Sequence, residues 1–389
     1  MGEWKKVKLK EVLTEVTEKN KDERVKNVLS VTNSQGFVKQ DEYFEGTVHS
    51  QNISNYKIIR KNQFAYNPSR VNVGSIDILK TYDEGVLSPM YVVFKVDNSK
   101  LLPEYFRYYF QTHRFAENVK NNTQGSVRNS LSFKALSDFE YFLPPLEEQE
   151  KIIKHLQKID NIIYKIEKQK NNLKKLKSNV LDKLYEKQCK EYLFKDIVIG
   201  KIRNGAFKKP SNVGNGYKLI NVMDLYNEPI INEEQLELLN VTEKEYNLNK
   251  VDKEDLFFTR SSLKIEGIAK CNIYMGESKD VIFECHVMKA KINKNLANPY
   301  LIKNLFETKK IRNQVMRQAK TTTMTTIGQH DLENIKIKVP DKNLQNKIVE
   351  FLFKIDKYLD LEEKRIDKYK ILKEALIQQL LTGKIRMKI

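Results

Sequence analysis

Positions 152, 156, 159, 163, 166, 170, 173, 177, 180 and 184 advance by fours and threes, and eight of the ten are Ile, Leu or Val, Lys170 and Lys177 being the exceptions. That spacing lines up one side of an α-helix. The stripe returns at 348, 352, 355, 359, 362, 366, 369, 373, 376 and 380, where eight residues are apolar or aromatic and Glu362 and Lys373 interrupt. A single helix cannot bury such a stripe alone, so the pattern predicts that the two helices pair as an antiparallel coiled coil. The rest of the chain reads differently. Short β-type runs such as Asn55 to Ile59, Gly85 to Val96 and Val281 to Ile292 alternate with Gly, Asn and Pro turn signals, which predicts mixed α/β domains with a curved sheet.

The two helices belong to an internal repeat. Residues 136–185 and 332–381 align without a gap, and Gln149, Lys151, Ile152, Leu156, Lys158, Ile159 and Asp160 recur as Gln345, Lys347, Ile348, Leu352, Lys354, Ile355 and Asp356. Leu136, Phe139, Tyr141, Leu143 and Pro144 fall on Leu332, Ile335, Ile337, Val339 and Pro340, an alternating strand that stops at a proline. Upstream, Pro103 and Pro299 each open an amphipathic helix. Farther back the register drifts, with Val28 to Thr32 resembling Lys218 to Val222. The chain is therefore a tandem duplication. It divides into a globular part at 1–145, a helical region at 146–189, a second globular part at 190–340 and a second helical region at 341–389.

Helices of about 40 residues would be about 60 Å long. If they lie antiparallel, a pseudo-two-fold axis relates the halves and the globular parts sit at opposite ends of a rod. Duplex DNA repeats every roughly 34 Å, or about 10 base pairs, so two readers on one rod would read two separated half-sites. Because the globular sequences differ, the half-sites should differ too.

Composition narrows the partner. The 389 residues carry 69 Lys and Arg against 51 Asp and Glu, a formal charge of +18, which points to a polyanion or reflects a lysine-rich genome. Cys189, Cys271 and Cys285 form no CxxC pair, and the five histidines form no i, i+4 pair, so no disulfide framework or metal site is expected; Cys285-His286 reads as part of a strand. No run of eighteen apolar residues and no apolar leader segment occurs, which predicts a cytoplasmic protein without a membrane partner.

Bases are read by Arg, Lys, Asn, Gln, Ser and Thr at groove edges, so polar segments flanked by breakers are the candidate readers. In the first globular part these give Asn33, Ser34 and Gln35, then Asn67, Ser69 and Arg70, then Arg128, Asn129 and Ser130. In the second they give Asn221, then Arg260, Ser261 and Ser262, then the hydroxyl run with Lys320, Thr322 and Thr323. Arg70 and Arg128 could each hold a guanine in bidentate fashion, and Asn67 and Asn129 an adenine. The same residue types also build ordinary turns.

The repeated junctions LSDFEYFLPPLEEQEKI at 136 and LENIKIKVPDKNLQNKI at 332, with the closing LIQQLLTGKIRMKI, resemble the specificity subunits of type I restriction-modification systems. The second copy departs, since Asp341, Lys342, Asn343 and Leu344 replace Pro145, Leu146, Glu147 and Glu148, which leaves its helix cap open. The resemblance implies a non-catalytic chain that selects a bipartite, asymmetric duplex DNA site. It also implies two modification subunits that methylate adenine with S-adenosylmethionine, and restriction subunits that use ATP and Mg, so that this chain holds no cofactor itself. The residues agree about chemistry, as neither a glycine-rich methyl-donor segment nor GxxxxGK[ST] occurs, and Asn67-Pro68-Ser69-Arg70 lacks the second proline and the aromatic of an NPPY box. Two rival classes are a nuclease with a cryptic carboxylate–lysine cluster, for which Glu277-Ser278-Lys279 is one string, and a basic coiled-coil adaptor for RNA or anionic lipid without sequence preference. Ile162, Tyr164, Tyr358 and Leu361 lie off the stripe and are candidate contacts for the modification subunits.

Overall fold

A computed structural model describes residues 3–43, 50–123, 130–184, 189–227, 229–321 and 324–387. The long helices run Leu146–Leu184 and Lys342–Leu380, each 39 residues. Two compact units are present, residues 1–165 with 367–389 and residues 166–366, so the division falls inside both helices. Each unit is a mixed α/β body closed by a segment of each long helix.

The first unit is centred on a four-stranded antiparallel sheet in the order Leu13–Glu15, Val92–Val96, Phe64–Tyr66, Ile76–Ile78. Its buried face is aromatic: Phe64 and Phe94 stack at 5.2 Å, and Phe106 from the helix Pro103–Tyr109 meets Phe64 edge-on at 5.7 Å. Ile152 and Leu156 of the first long helix and Ile377, Leu380 and Leu381 near the end of the second complete this core. The second unit repeats the sheet as Arg203–Asn204, Val287–Ala290, Leu256–Thr259, Cys271–Ile273. There Leu181, Ile348 and Leu352 from the long helices join Phe194, Phe258 and Phe306.

Two of the β-type runs each form two strands. Gly85 to Val96 splits into Glu84–Leu87, which pairs with Lys57–Arg60, and Val92–Val96 in the central sheet, because Ser88 and Pro89 open a turn closed by the Tyr91 amide on the Ser88 carbonyl. Val281 to Ile292 splits likewise at Glu284–His286, where the Val287 amide bonds the Glu284 carbonyl. Cys285 and His286 thus occupy a turn rather than a strand.

The junction between sheet and helix is the same in both units. Lys5–Lys8 pairs with Glu140–Leu143, and Lys190–Leu193 with Lys336–Val339, both antiparallel. Just beyond, Gln149 accepts from the Leu102 amide at 2.8 Å and donates to the carbonyls of Lys100 and Pro144 at 2.8 and 2.9 Å. Gln345 makes the matching bonds to the Asn298 amide and the Leu296 and Pro340 carbonyls at 2.8, 3.0 and 2.9 Å. Both glutamines are buried, so three otherwise orphaned backbone groups are satisfied by one side chain.

Where the copies differ, the structure supplies a reason. Glu148 is fully buried and takes Arg386 in a two-pronged pair at 2.8 and 2.7 Å, the Trp4 indole N–H at 2.9 Å and the Met387 amide at 3.1 Å. It ties residues near both chain ends to the first turn of the helix. Leu344 stands at the matching position in the second copy, packed against the core, and Asp341 caps that helix by accepting from the Leu344 amide at 3.0 Å.

Three of the four residues that interrupt the apolar stripes form ion pairs between the helices. In the second unit Lys170 pairs with Glu363, and Lys177 lies 2.8 Å from Asp356, so seven steps forward on one helix match seven steps back on the other. In the first unit Lys373 pairs with Asp160 at 2.7 Å. The pairing is antiparallel within each unit. Tyr300 donates to Asp356 at 2.6 Å and Tyr108 to Asp160 at 2.7 Å, so each aspartate also anchors a helix of its globular part. Glu362 is buried as well, and one of its carboxylate oxygens lacks a hydrogen-bond partner.

The pairs differ in burial and should differ in worth. Lys177 and Asp356 side chains are 10% and 4% exposed, whereas Glu363 opposite Lys170 is 56% exposed. Lys177→Ala is expected to lower unfolding free energy by about 3 kcal/mol, because Asp356 is left buried without its cation. Lys170→Ala should cost less than about 1 kcal/mol. Urea unfolding of the full chain measures both, and equal losses would contradict the difference in burial.

Candidate nucleic-acid interface

In the first unit a hairpin of Leu29–Thr32 and Gly36–Lys39 carries Asn33, Ser34 and Gln35 at its exposed tip. The Thr32 hydroxyl accepts from the Gln35 amide at 3.0 Å and donates to the Gly36 carbonyl at 3.1 Å, which sets the turn. Gly36 has φ +62°, and a Cβ there would lie 2.2 Å from an Asp77 carboxylate oxygen, so any other residue would strain the turn and displace the Asp77 side chain. Ser75 donates to the Val31 carbonyl at 2.7 Å, and a Cβ on Gly74 would lie 3.7 Å from that of Asn33. The hairpin tip therefore stands beside the turn at 67–74.

That turn presents Ser69 and Arg70 to solvent. Asn67 does not share their exposure. Its side chain is buried and its Oδ1 accepts from the Ser69 amide at 3.1 Å, so the turn itself uses the carboxamide and the expected adenine contact from Asn67 is corrected. The third segment joins at Leu131, whose amide donates to the Pro68 carbonyl at 3.0 Å, with half-buried Ser130 immediately before it. Arg128 and Asn129 lie outside the described residues.

The second unit builds its surface on the same plan with different parts. The Ile327 amide donates to the Arg260 carbonyl at 3.1 Å, the counterpart of the Leu131–Pro68 bond. Ser261–Ser262 pairs with Thr325–Thr326, which pairs with Lys320–Thr321, so two segments about sixty residues apart in sequence form one small sheet. Arg260 and Lys320 are exposed on it and Ser261 and Ser262 are half-buried. Thr322 and Thr323 lie outside the described residues. Asn221 belongs to another cluster: it donates to Glu237 at 2.9 Å and to the Leu219 carbonyl at 3.4 Å, and accepts from Lys208 at 3.4 Å. Both ends of its carboxamide are engaged there, so the half-buried Asn221 braces a strand. The Lys208 hydrogen bond holds Glu237 below the ordinary carboxylate range, against the opposing effect of burial.

The second unit also holds a cleft of about 580 Å³ whose walls include Leu181, Phe306 and Leu359 beside Lys177, Lys270, Glu307 and Asp356. Its charges face one another: Lys270, Lys303 and Lys177 lie 3.3, 3.2 and 3.8 Å from Glu307. Burial pushes the Glu307 carboxyl up, but the three ammonium groups outweigh it and hold the group well below its usual value. Among the described residues, no three His, Cys, Asp or Glu side chains are arranged to hold a metal ion. Glu277 pairs with Lys253 on the surface. No helix among the described residues is long and apolar enough to cross a membrane.

Of the off-stripe helix residues, Tyr164, Tyr358 and Leu361 are exposed, and Ile162 is half-buried. Sequence reasoning missed Leu263 and Met324, which stand exposed at the end of the small sheet. The signal for them was an apolar residue inside each polar segment. It also missed the buried pair of Glu148 with Arg386, for which the departure between the two repeats was the available sign.

Glu148 and Glu307, each held below its ordinary value, give a pH dependence. Glu148 is pushed up by burial but brought below its ordinary value by Arg386, Trp4 and the Met387 amide. A depressed carboxyl stabilises the fold fully above the unfolded pKa near 4.5, and that stabilisation is lost as pH falls towards the folded value. Urea midpoints should therefore drop from pH 6 to pH 3.5, and Glu148→Gln should flatten that drop while lowering the pH 6 midpoint. An unchanged slope in the variant would remove Glu148 as a contributor.

The sequence matches the type I restriction modification DNA specificity domain over residues 1–175 and again over 183–370, once per repeat. A putative type I restriction enzyme MjaX specificity subunit of Methanocaldococcus jannaschii is 25% identical over 423 residues, spanning 99% of this chain and 94% of its own length. The type I restriction enzyme EcoKI specificity subunit of Escherichia coli strain K12 is 22% identical over 321 residues, 78% of this chain and 67% of its own. The type I restriction-modification system S subunit from M. genitalium shares the fold, with a TM-score of 0.52 at 14% identity over 97% of this chain and 96% of that one.

Proposed function

The chain belongs to the type I restriction-modification DNA specificity family, and on that premise we propose that it reads a bipartite, asymmetric duplex site, one half with each globular part. The observation that carries this is the paired construction of the two surfaces. Equivalent backbone bonds, Leu131 to Pro68 and Ile327 to Arg260, gather sequence-distant polar segments in both units. The side chains on them are not equivalent, a hairpin tip with Arg70 in one and a hydroxyl-bearing sheet with Arg260 and Lys320 in the other. One scaffold with two different readers recognises two different half-sites, where a homodimer would read a palindrome.

The net charge of +18 supplies the sequence-independent part of the affinity and makes it fall with salt. Arginines at the exposed positions supply base selection through two parallel hydrogen bonds to guanine. The chain itself performs no catalysis in this proposal. Two modification subunits bring S-adenosylmethionine and transfer its methyl group to adenine, and restriction subunits bring ATP and Mg, all in the cytoplasm. The exposed Tyr164, Tyr358 and Leu361 on the long helices are the contacts proposed for the modification subunits. Changing the three to Asp should abolish co-purification with those subunits while the chain stays folded; retained co-purification would remove this surface. A target-blind basic adaptor is the alternative, and it has no use for two unlike reading surfaces.

Long-read mapping of N6-methyladenine in cells expressing this chain with its modification subunit tests the proposal. A two-part asymmetric motif is expected that vanishes when this chain is omitted. Arg70→Ala should relax one half of the motif and Arg260→Ala the other, each with an affinity loss of about 1–3 kcal/mol at its own half. A formed complex without any motif would favour the adaptor.

A further inference from the structure

The small sheet of the second unit ends in an apolar pair. Ser261 lies opposite Thr326 and Ser262 opposite Thr325, so the next pair in that register is Leu263 with Met324. Leu263 is 85% exposed, the largest value for any large apolar side chain among the described residues, and Met324 is 39% exposed. Most of their neighbours in sequence are polar, Arg260, Ser261, Ser262, Lys264, Thr325 and Thr326, and Ile265, two positions beyond Leu263, is 38% exposed.

This projection is held in place. The Ser262 hydroxyl accepts from the Lys264 amide at 3.3 Å, setting the bend on which Leu263 sits. Arg312 donates to the carbonyls of Glu266 and Ile268 at 2.9 and 2.6 Å, and Tyr226 to that of Gly267 at 3.3 Å. The loop therefore presents the leucine away from the core rather than folding it in, and because its backbone is already held, less ordering entropy is lost when it meets a partner.

The occupant must be anionic at its edges and apolar at one point. Arg260, Lys264 and Lys320 match the first demand. Duplex DNA meets both, because its phosphates flank a major groove wide enough for a β-ribbon, and the thymine C5 methyl is the one apolar feature among the base edges there. We propose that Leu263, backed by Met324, is a specificity residue that covers a thymine methyl in the half-site read by the second globular part. The proposal rests on the DNA-reading function above.

Replacing thymine by deoxyuridine deletes that methyl and nothing else. With the assembled specificity and modification subunits and a duplex bearing the mapped motif, each thymine of this half-site is exchanged singly and binding is measured. At one position, deoxyuridine should weaken wild-type binding about fourfold, the loss expected for one buried methyl. Leu263→Ala should weaken the thymine duplex by a similar factor and no longer distinguish thymine from deoxyuridine there. Wild-type binding indifferent to deoxyuridine throughout the half-site, full discrimination kept by Leu263→Ala, or a half-site without thymine on either strand would each overturn the assignment. So would loss of assembly with the modification subunits in Leu263→Ala, which would make the occupant a protein. Wild-type complex that binds all duplexes alike would instead overturn the DNA-reading function itself.

Discussion

A buried carboxamide at the start of each long helix is the constraint on which the rest of the structure hangs. Gln149 and Gln345 each satisfy an amide and two carbonyls drawn from two chain segments, the turn before the proline-led helix and the strand that enters the long helix. Both carboxamides are buried, as are their bonds to the Pro144 and Pro340 carbonyls, so these bonds are costly to leave unmade. The geometry is narrow as a consequence. It sets the angle at which the chain leaves the sheet, and with it which face of the helix returns to the core as Ile152 and Leu156, or Ile348 and Leu352.

From that junction outward, the apolar stripe supplies stability and the charges within it supply register. A helix that slid by one turn would keep most apolar contacts but would strand Lys177 and Asp356 in a poorly hydrated interior. Burying such a pair yields little net stability, since desolvation offsets the attraction, and its value lies in penalising wrong alignments. The copy at Lys373 and Asp160 repeats the arrangement, and each aspartate also accepts from a tyrosine. Those tyrosines sit on the proline-led helices at positions that are not equivalent, Tyr108 and Tyr300. The demand for a second donor on the paired aspartate thus persisted while the residue that meets it moved.

Much of this architecture was legible in the sequence. The apolar spacing located both long helices, and the identities at Gln149, Asp160, Gln345 and Asp356 marked positions that prove to be hydrogen-bonded, three of them buried and Asp160 half-buried. Where expectation failed, the cause was local. Lys170, Lys177 and Lys373 read as breaks in a stripe because periodicity weighs residue type and is blind to a partner on another helix. The run from Gly85 to Val96 read as β-type without showing that Ser88 and Pro89 divide it into two strands of different sheets. Asn67 read as a base contact because a side-chain amide serves a turn as readily as an adenine, and at Asn221 the same group braces a strand. Among the described residues, the side chains of Arg70, Arg260 and the hairpin tip stand exposed without such a hydrogen bond.

The two reading surfaces show how one scaffold accommodates change. The elements beneath them, a four-stranded antiparallel sheet with the same strand order and a single backbone bond joining distant segments, are held by burial and backbone hydrogen bonding that tolerate little variation. The segments above them end in solvent, where the fold asks only for a turn. A tight hairpin closed by Thr32 and Gly36 meets that demand in one unit, and a strand pair between Ser261–Ser262 and Thr325–Thr326 meets it in the other. Since either solution satisfies its own backbone groups, the exposed side chains can differ without disturbing the core. Divergence of the readers is therefore the expected result of duplicating a unit whose stability resides in its junctions and its helices.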